Sequence, residues 1–522
     1  MGMYINVGNA GFRSSRNGEY VDKSGLISVV NRTLFTERRF SCVTRSRRFG
    51  KSMAAKMLCA YYDQSCDSRA MFEDLEIASD PNFEKHLNKY PVLYLDMTNF
   101  VGSKQDPDIV PHIQEKLKAD IVTAYPSVPI SPDDNVMETL YKVQASTGDA
   151  FFFIIDEWDA ICREYESGTK AMDDYVDWLR SMFKSVSASD VFAGVYMTGI
   201  LPIKKYNTQS ALNNFVEYSM VEPRNMGRYF GFTKDEVRAL AEKYGVDFDN
   251  LENWYDGYQI GDEQSIFNPN SVMMAVDIGR CRSFWATASA FDAVAGYIGM
   301  NYEGLKDDII AMLAGGRCKV NPTRFRNDMR DINSKDDVLT VLIHLGYLSY
   351  NWRKDECYIP NREVAGEMVN AVEANNWKEV SESLAKSEKL LAATLAGDEE
   401  AVAKGIEAVH DENTSILNYN DENSLSCVLS LAYYYARNDY VIHRELASGK
   451  GFADIVLVPR KNVDSPAIII ELKVNKDADT ALEQILRKEY PAKVAEYAGD
   501  LLLVGVNYDR ETKQHTCRIE KG

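Results

Sequence analysis

Short apolar runs of strand length recur through the first part of the chain and alternate with stretches of helical spacing. The runs lie at residues 40–44, 92–96, 151–155 and 191–198, and a helix is predicted at residues 53–62. Strands that alternate with helices predict a mostly parallel sheet with crossover helices. We therefore expect an α/β fold for this part of the chain.

The pattern changes to helices near residue 232. Thr233, followed three residues later by Glu236, forms a capping box that marks the start of a helix. The aromatic tract at residues 254–258 and the Asn268-Pro269 pair predict a rigid turn between helices. This part of the chain is therefore expected to be mainly helical.

Two further stretches separate this region from a β-rich tail. Residues 303–350 predict a small helical or winged unit. Residues 361–410 carry Ala, Glu and Lys at helical spacing, which predicts a helical connector. The tail that follows contains Asp454, Glu471 and Lys473.

Size and composition are those of a soluble protein with several domains. A chain of 522 residues is too long for one ordinary core, which predicts roughly three to four domains. No apolar run approaches the roughly 20 residues needed to span a bilayer, and residues 1–6 lack a signal-peptide pattern, so no membrane partner is expected. Nine cysteines without a CxxC pair indicate neither a zinc site nor a disulfide framework, which favours a cytoplasmic location.

The net charge of −19 argues against a protein that coats nucleic acid. It does not exclude a nuclease, because only the field around the cleft has to attract phosphate. Acidic and basic residues roughly balance within residues 441–496, so the tail is less acidic than the whole chain.

A phosphate-binding loop is indicated where the first apolar run ends. Residues 45–52 read Arg-Ser-Arg-Arg-Phe-Gly-Lys-Ser and lie between a predicted strand and a predicted helix. In a P-loop, backbone amides face phosphate oxygens, the lysine spans the β- and γ-phosphates, and the Ser/Thr hydroxyl binds magnesium. Lys51 and Ser52 supply the last two groups, although Arg45 replaces the first glycine of the motif.

The third apolar run ends in two carboxylates. Asp156 is expected to coordinate magnesium and Glu157 to polarise the attacking water, unless both merely end a strand at a solvated turn. Thr198 is either a polar sensor beside the γ-phosphate or part of a strand-end turn. Arg47 and Arg48 either contact phosphate or are simply solvated. The candidate nucleotide-binding residues are Arg47, Arg48, Phe49, Gly50, Lys51, Ser52, Asp156 and Thr198.

The tail carries the pattern of a metal-dependent nuclease. Alternate side chains of a strand share a face, so Glu471 and Lys473 are expected to point the same way. Asp454 lies seventeen residues before Glu471 and supplies a second carboxylate. Two carboxylates and an ammonium group suit a magnesium or manganese ion that activates water against a phosphodiester. The alternative is an ordinary strand with a surface Glu–Lys pair.

Each tail residue has an expected role. Asp454 and Glu471 would hold one or two divalent ions, and Lys473 would orient the nucleophilic water or stabilise the charge that builds on phosphorus. Glu445 would add an outer ligand or a second-metal ligand. Gln484 lies on a predicted helix. The candidate catalytic residues are Glu157 in the first domain and Asp454, Glu471, Lys473 and Gln484 in the tail.

The chain resembles a known family through an ordered series of motifs. These motifs are residues 47–52, Asp156-Glu157, 198–201, 212–214, 254–258 and Asn268-Pro269. Together they resemble bacterial AAA-ATPase-like proteins fused to a C-terminal PD-(D/E)XK nuclease-superfamily domain, from about Tyr20 to the end of the chain. Proteins of the family that this chain resembles also lack the glycine that Arg45 replaces here. The resemblance further implies that Gln484 and Tyr490 correspond to the glutamine and tyrosine that line the nuclease cleft.

The expected fold class is α/β: a P-loop NTPase parallel sheet with a helical lid, a helical connector, and a C-terminal restriction-endonuclease-like α/β domain. The predicted domains are an AAA-like P-loop NTPase at 1–228, a helical lid or winged-helix-like region at 229–360, a helical connector at 361–410, and a PD-(D/E)XK nuclease-like domain at 411–522.

Two functions of different class stay open. The first is an ATP-binding NTPase that controls an appended nuclease, with ATP and magnesium or manganese as cofactors. Its partner would be nucleic acid, with DNA favoured over RNA and RNA still open. The second is a nucleotide-dependent switch or scaffold that binds partners or nucleic acid without cutting. AAA-like modules often assemble because a neighbour's arginine completes the site, so a homo-oligomer is also open, although no convincing arginine finger is evident.

Overall fold

The computed structural model describes most of the chain. The described residues are 2–102, 106–165, 169–203, 205–206, 209–210, 212–285, 288–325, 332–375, 377–413, 428–448, 451–460, 463–487 and 500–522. The chain divides into two compact units, one formed by residues 1–281 and 320–355, the other by residues 282–319 and 356–522. We call them the N-terminal unit and the C-terminal unit.

The strands occur in every part of the described chain. In chain order they are β1 (Phe40–Thr44), β2 (Val92–Asp96), β3 (Phe151–Asp156), β4 (Phe192–Gly199), β5 (Lys205–Tyr206), β6 (Gln209–Ser210), β7 (Val216–Tyr218), β8 (Phe232–Thr233), β9 (Tyr258–Ile260), β10 (Glu263–Phe267), β11 (Cys318–Lys319), β12 (Ser349–Asn351), β13 (Glu356–Tyr358), β14 (Tyr440–Ser448), β15 (Gly451–Pro459), β16 (Ala467–Val474), β17 (Leu501–Tyr508) and β18 (His515–Lys521).

The α-helices connect and cover these strands. In chain order they are α1 (Ala10–Arg16), α2 (Gly25–Asn31), α3 (Lys51–Tyr62), α4 (Phe83–His86), α5 (Ile109–Ala124), α6 (Val136–Thr147), α7 (Ala160–Glu164), α8 (Lys170–Phe183), α9 (Ala188–Val191), α10 (Lys234–Tyr244), α11 (Phe248–Tyr255), α12 (Pro269–Ile278), α13 (Ala288–Gly299), α14 (Leu305–Leu313), α15 (Lys335–Leu345), α16 (Arg362–Ala374), α17 (Lys378–Ala396), α18 (Glu399–Asn413) and α19 (Ala478–Arg487).

The central sheet of the N-terminal unit has the order β2-β3-β4-β1-β7, and every neighbouring pair is parallel. Side chains of β3 alternate between two apolar cores, with Phe153 in the core that contains α5 and α8 residues and Phe152 in the core that contains α2 and α3 residues. Because both faces are covered, these strands are apolar at nearly every position. The predicted α/β fold with a parallel sheet is confirmed.

Strand order brings the candidate nucleotide site to one edge of this sheet. The strands β1, β4 and β3 lie side by side. The phosphate loop follows β1, while Asp156 ends β3 and Glu157 follows it. Thr198 lies near the end of β4, opposite Val43 of β1. Ligands of open α/β sheets bind outside the carboxyl ends of the strands, which is where these groups meet.

The segment at residues 230–278, which we call the lid segment, contains helices and a short antiparallel sheet of order β8-β10-β9. Both halves of the predicted capping box are present, because the Thr233 side chain accepts from the Glu236 amide and the Glu236 side chain accepts from the Thr233 amide. Asn268 caps α12, with Pro269 at its first turn.

The prediction of a turn between helices at residues 254–258 is wrong in one respect. This tract leads from α11 into the strand β9 rather than into another helix. Tyr258 is fully buried there, and its hydroxyl donates to the carbonyl of Gly346 at 2.8 Å. A contact with a residue so distant in sequence stabilises a strand that the local pattern does not indicate.

The C-terminal unit contains a mixed sheet of order β14-β15-β16-β17-β18, in which only the β16–β17 pair is parallel. Helix α19 covers this sheet, with Leu482 and Ile485 packed in the same core as Ile469 and Leu503. The predicted connector at 361–410 is occupied by helices α16, α17 and α18.

The small helical or winged unit expected at residues 303–350 stays a prediction, and its residues are divided between the two compact units. Residues 303–319 belong to the C-terminal unit, whereas residues 320–350 belong to the N-terminal unit. The amide of Gln259 donates to Ser349 Oγ at 2.8 Å, so β12 also contacts the lid segment. Within the described residues, no helix is both long and apolar enough to cross a membrane.

Candidate functional site

The phosphate loop turns directly into helix α3. Gly50 has φ +88°, a left-handed conformation that glycine adopts without strain, and its carbonyl accepts from the Ala54 amide at 3.0 Å. Lys51 therefore begins the helix, two residues before the predicted start at Met53. This geometry orients the first amides of α3 toward the loop, as an anion site at a helix N-terminus requires.

The Lys51 side chain lies inside the phosphate loop. Its Nζ donates to the carbonyls of Arg45 at 3.0 Å and Ser46 at 3.1 Å, and it lies 3.7 Å from Glu157 Oε1. Burial lowers the pKa of Lys51, while the charge of Glu157 opposes that shift. The Oγ of Ser46 is buried and has no hydrogen-bond partner among the described residues. A buried donor left over in the loop fits a ligand that carries phosphate oxygens.

Asp156 and Thr198 are held together behind the loop. Both residues are buried, and the Thr198 hydroxyl donates to Asp156 Oδ1. The hydroxyl of Tyr94, on β2, donates to Asp156 Oδ2 at 3.3 Å. The parallel register places Asp96 opposite Asp156 at the same edge of the sheet. Asp156 is thus a positioned carboxylate that suits a hard divalent ion.

Glu157 has an unusual backbone and a crowded side chain. Its φ is +52°, which is uncommon for a residue other than glycine and typical of functional sites. Its Oε2 accepts from Arg163 Nη2 at 2.6 Å. Burial raises the pKa of Glu157, although the charge of Lys51 opposes this. A carboxylate of raised pKa beside the phosphate loop suits a proton acceptor.

Asp159 and Arg163 belong to this site, although the sequence reasoning missed both. Asp159 is fully buried, and its Oδ2 accepts from the amides of Ile200 at 3.2 Å and Leu201 at 3.0 Å, and from Arg163 Nε at 3.1 Å. Arg163 thus joins Glu157 to Asp159. The signal available in the sequence is the four-residue spacing of Asp159 and Arg163, which suits an ion pair along one helix face.

A cavity of about 440 Å³ lies over the loop. Its wall contains the exposed residues Arg47 and Arg48 and also Phe49, Gly50, Lys51, Ser52 and Glu157. Its remaining wall is formed by Glu19, Tyr20, Val21, Lys23, Met53, Ala54, Met57, Tyr229, Gly231, Phe232, Pro269, Asn270 and Met273. The lining combines charged and apolar side chains, as a nucleotide site requires.

The tail residues meet across β15 and β16. These strands pair Ile455 with Ile470, so Asp454 lies one step beyond this pair, beside Glu471. The Asp454 Oδ2 accepts from the Leu472 amide at 2.6 Å. Residues directly opposite one another on antiparallel strands project from the same face of the sheet. Asp454 and Glu471 are therefore neighbours on one face.

Glu471 is the centre of this group. It is 2% exposed, and its Oε1 accepts from Lys473 Nζ at 3.1 Å and from Gln484 Nε2 of helix α19. The predicted shared direction of Glu471 and Lys473 is therefore present in the structure. Two carboxylates side by side fit a hard divalent cation. Within the described residues, no group of three or more His, Cys, Asp and Glu side chains is arranged to hold a metal.

For two tail residues, Glu445 and Tyr490, the side chain lies outside the described part of the chain. The backbone of Glu445 lies in β14, between the pairs Arg444–Ile455 and Leu446–Ala453, which puts it beside Asp454. Tyr490 also lies outside the described residues.

Two family models match separate parts of the chain. Residues 8–208 match the family described as predicted AAA-ATPase, and residues 421–517 match the PD-(D/E)XK nuclease superfamily. The second range contains the tail residues described above.

Individual relatives are distant. A protein of Azotobacter chroococcum mcd 1, described as an uncharacterized protein in the vnfD 5′ region, is 23% identical over 288 residues. This match covers 53% of each protein, so the chain spans about half the length of that relative. The solved structure of the Aeropyrum pernix ORC2 protein in its ADPNP–ADP complexes is 13% identical, with a TM-score of 0.33, over 69% of this chain and 98% of that one. The ADP form of the same protein has a TM-score of 0.28 and 12% identity, with the same coverage.

Proposed function

Because the chain joins an AAA-ATPase-like N-terminal region to a C-terminal region of the PD-(D/E)XK nuclease superfamily, we propose that it is an ATP-binding NTPase that controls its own metal-dependent nuclease. The substrate proposed for the nuclease is DNA. Nucleotide occupancy would admit or exclude nucleic acid by favouring one arrangement of the lid segment.

The observation that carries this proposal is that each region gathers its own charged groups. Lys51 lies 3.7 Å from Glu157 in one unit, and Lys473 lies 3.1 Å from Glu471 in the other. A cation beside a carboxylate suits both phosphoryl transfer and phosphodiester cleavage. The cation would stabilise negative charge on the phosphate, while the carboxylate would bind a metal ion or orient water.

In the N-terminal unit, Lys51 would leave the carbonyls of its own loop to bind the β- and γ-phosphates. Ser52 and Asp156 would hold a magnesium ion, which screens the phosphate charge. Glu157 would accept a proton from the attacking water, and Thr198 would keep Asp156 oriented through the hydrogen bond that it already donates.

In the C-terminal unit, Asp454 and Glu471 would hold magnesium or manganese, which activates water. Lys473 would stabilise the charge that builds on the phosphodiester, and Gln484 would hold Glu471 in place. The backbone position of Glu445 beside Asp454 supports a further ligand role for this residue.

The test is a cleavage assay with the full chain. Purified protein is incubated with plasmid DNA, magnesium or manganese, with and without ATP. We expect Asp454→Ala and Lys473→Ala each to lower cleavage by about 100-fold or more, as loss of one electrostatic group does in other active sites. Lys51→Ala should remove the response to ATP and leave the nuclease residues intact.

Matched controls lie nearby in the chain. Asp464 and Lys476 are exposed residues on either side of β16, so Lys476→Ala and Asp464→Ala should cut at the parent rate. Cleavage that persists unchanged in Lys473→Ala would disprove the nuclease half. A parallel incubation with RNA in place of plasmid decides between the two nucleic acids.

A second candidate is a nucleotide-dependent switch that does not cut. It is favoured by the internal pairing of Glu471 Oε1, which already accepts from both Lys473 and Gln484. The net charge of −19 also favours it, because an acidic surface attracts nucleic acid poorly. ATP binding without any cleavage in the same assay would support this function over the first.

A further inference from the structure

Two side chains of the phosphate loop have no task in the proposed chemistry. Arg45 stands where the P-loop motif has its first glycine, and Phe49 precedes the second glycine, Gly50. Arg45 is 0% exposed and Phe49 is 1% exposed. A phosphate-binding loop needs backbone amides and a lysine, so two large buried side chains on it require another explanation.

Arg45 fixes the loop to β7 and to the start of the lid segment. Its Nη1 donates to the carbonyls of Thr44 at 2.8 Å and Tyr218 at 2.7 Å. Its guanidinium carbon lies 5.2 Å from the ring centroid of Phe230. The Nε and Nη2 atoms have no hydrogen-bond partner among the described residues, and burial lowers the pKa of Arg45 to about 9. Burying a cation this way is unfavourable, so a compensating role is expected.

Phe49 contacts the lid segment through its ring and through its backbone. The ring lies edge-to-face on Tyr258, with centroids 5.1 Å apart. The carbonyl accepts from the Gly231 amide at 3.3 Å. Gly231 has φ +96°, and a Cβ added there would lie 2.3 Å from Ile266 Cγ2 and 3.3 Å from Phe49 Cδ1. A side chain at position 231 would therefore clash first with Ile266 of the lid segment and would also crowd Phe49 of the loop.

We propose that Arg45 and Phe49 are positioning residues that transmit nucleotide occupancy from the phosphate loop to the lid segment. This rests on the proposed nucleotide binding. The backbone of the loop would bind the phosphates, whereas these two side chains contact the lid segment. A shift of the loop acts at once on the Arg45–Phe230, Phe49–Gly231 and Phe49–Tyr258 contacts.

Close packing is what makes this transmission effective. Packed interfaces change between discrete arrangements rather than deforming smoothly. A nucleotide can favour one lid arrangement only through contacts that differ between the arrangements. The two side chains supply such contacts at the loop proposed to bind phosphate, and this role gives a reason for Arg45 at the first glycine position of the P-loop motif.

The experiment measures amide hydrogen exchange in the full chain by mass spectrometry. Peptides within residues 232–267 are followed with and without ATP and magnesium, at nucleotide concentrations that saturate each variant. In the parent, nucleotide should slow exchange in the lid segment by about tenfold, as a stabilised local element does. In Phe49→Leu and Arg45→Met, at least about half of this nucleotide-dependent difference should be lost.

Phe72→Leu is the matched control. Phe72 is also fully buried and lies edge-to-face on Tyr61, with centroids 5.4 Å apart, but it belongs to the core that covers the central sheet. It should keep the parent's nucleotide-dependent difference. If Phe72→Leu loses the difference as well, Phe49 has only a general packing role and the proposal is overturned.

The two possible failures can be distinguished. A parent that binds no ATP overturns the proposed function and this proposal with it. A parent that binds ATP and slows exchange in the lid segment, while Phe49→Leu responds just as fully, overturns this proposal alone. Arg45→Met removes a buried cation, so its thermal unfolding is checked first. If Arg45→Met does not fold, the result for Phe49→Leu decides the test.

Discussion

At the scale of single residues, Lys51 and Glu157 share a buried site in which neither charge is well solvated. Burial lowers the pKa of the lysine and raises the pKa of the glutamate, while the attraction between them opposes both shifts. A nucleotide that draws Lys51 toward its phosphates would take this cation away from Glu157. Glu157 would then accept a proton more readily, because its pKa would rise further.

The first prediction concerns the pH dependence of ATP hydrolysis. Glu157 must be deprotonated to act as a base, and its pKa is raised by burial. Hydrolysis should therefore increase with pH along an acidic limb that lies above the ordinary range of a glutamate. Glu157→Gln should lower the rate by about 100-fold or more, as loss of a general base does. The measurement is kcat against pH.

In Glu157→Gln the residual rate should lack this acidic limb, and bound ATP should still be detectable. Persistence of the same limb in Glu157→Gln would assign the titration to another group. Asp174→Asn is a suitable control, because Asp174 pairs with Lys170 on the exposed surface of α8.

The second prediction concerns the buried Asp159. Asp159→Asn removes the negative charge from the side chain whose Oδ2 accepts from the Ile200 and Leu201 amides and from Arg163. We expect the free energy of unfolding to fall by about 1–3 kcal/mol, because hydrogen bonds to a charged group contribute more than those to a neutral one. Urea unfolding measures this. Asp177→Asn, at an exposed pair with Arg180, should change it by less than about 0.5 kcal/mol.

Residues that act through a short motif can be predicted from the sequence, whereas residues that act through the fold cannot. Lys51 and Asp156 are found because Lys51 lies in a loop motif after an apolar strand and Asp156 ends another. Asp159 is not, because its amide partners lie 41 and 42 residues away. Arg45 is seen only as a departure from the P-loop motif, since its contacts with Tyr218 and Phe230 depend on strand order.

At the scale of secondary-structure elements, the lid segment meets the phosphate loop at a glycine. The third prediction is that Gly231→Ala destabilises the protein by more than about 1 kcal/mol, because φ +96° is combined with a Cβ contact of 2.3 Å. Thermal unfolding measures the change. Gly231→Ala should also remove the difference in amide hydrogen exchange that nucleotide produces in the lid segment.

Gly245→Ala separates backbone strain from crowding. Gly245 also has a positive φ, +67°, but an added Cβ would meet nothing within 4 Å. Its effect should be limited to about 1 kcal/mol from backbone conformation. Equal destabilisation by the two substitutions would show that the close approach at Gly231 does not matter.

Element type is predictable where hydrophobic patterns are long. The central strands are apolar nearly throughout because helices cover both faces, and the start of α10 is indicated by its capping box. The strand β9 is only three residues long and depends on Tyr258 reaching Gly346. A local pattern carries no information about such a partner, so the tract at 254–258 predicts only a turn between helices.

At the scale of the whole molecule, a buried histidine, His515, contributes to the pH dependence of stability in acid. His515 is 6% exposed, and neither of its ring nitrogens has a hydrogen-bond partner among the described residues. Burial, with a contribution from His410, lowers the pKa of His515 to about 3. An unfolded histidine has a pKa of about 6.5. The unfolded state therefore binds a proton that the folded state rejects between these pH values.

The fourth prediction follows from this difference. The contribution of His515 to the free energy of unfolding should be fully present above about pH 6.5. It should decline as the pH falls toward about 3, where His515 is protonated in the folded state as well. His515→Phe should show a flatter decline, measured as the urea midpoint against pH. His112→Phe should not flatten the decline. Hydrogen bonding to Asp106 raises the pKa of the exposed His112, so protonation of His112 stabilises the folded state at low pH. An equally steep decline in His515→Phe would contradict the prediction.

The division of the chain into two discontinuous units has a consequence for protein synthesis. Residues 320–355 complete the N-terminal unit, so that unit cannot finish folding until residue 355 has left the ribosome. By then residues 282–319 have emerged as well, and their partners at 356–522 have not yet left the ribosome. We therefore expect helices α13 and α14 to lack their partner α16 during this interval. A gene truncated after residue 281 would leave the first unit without β12 and α15.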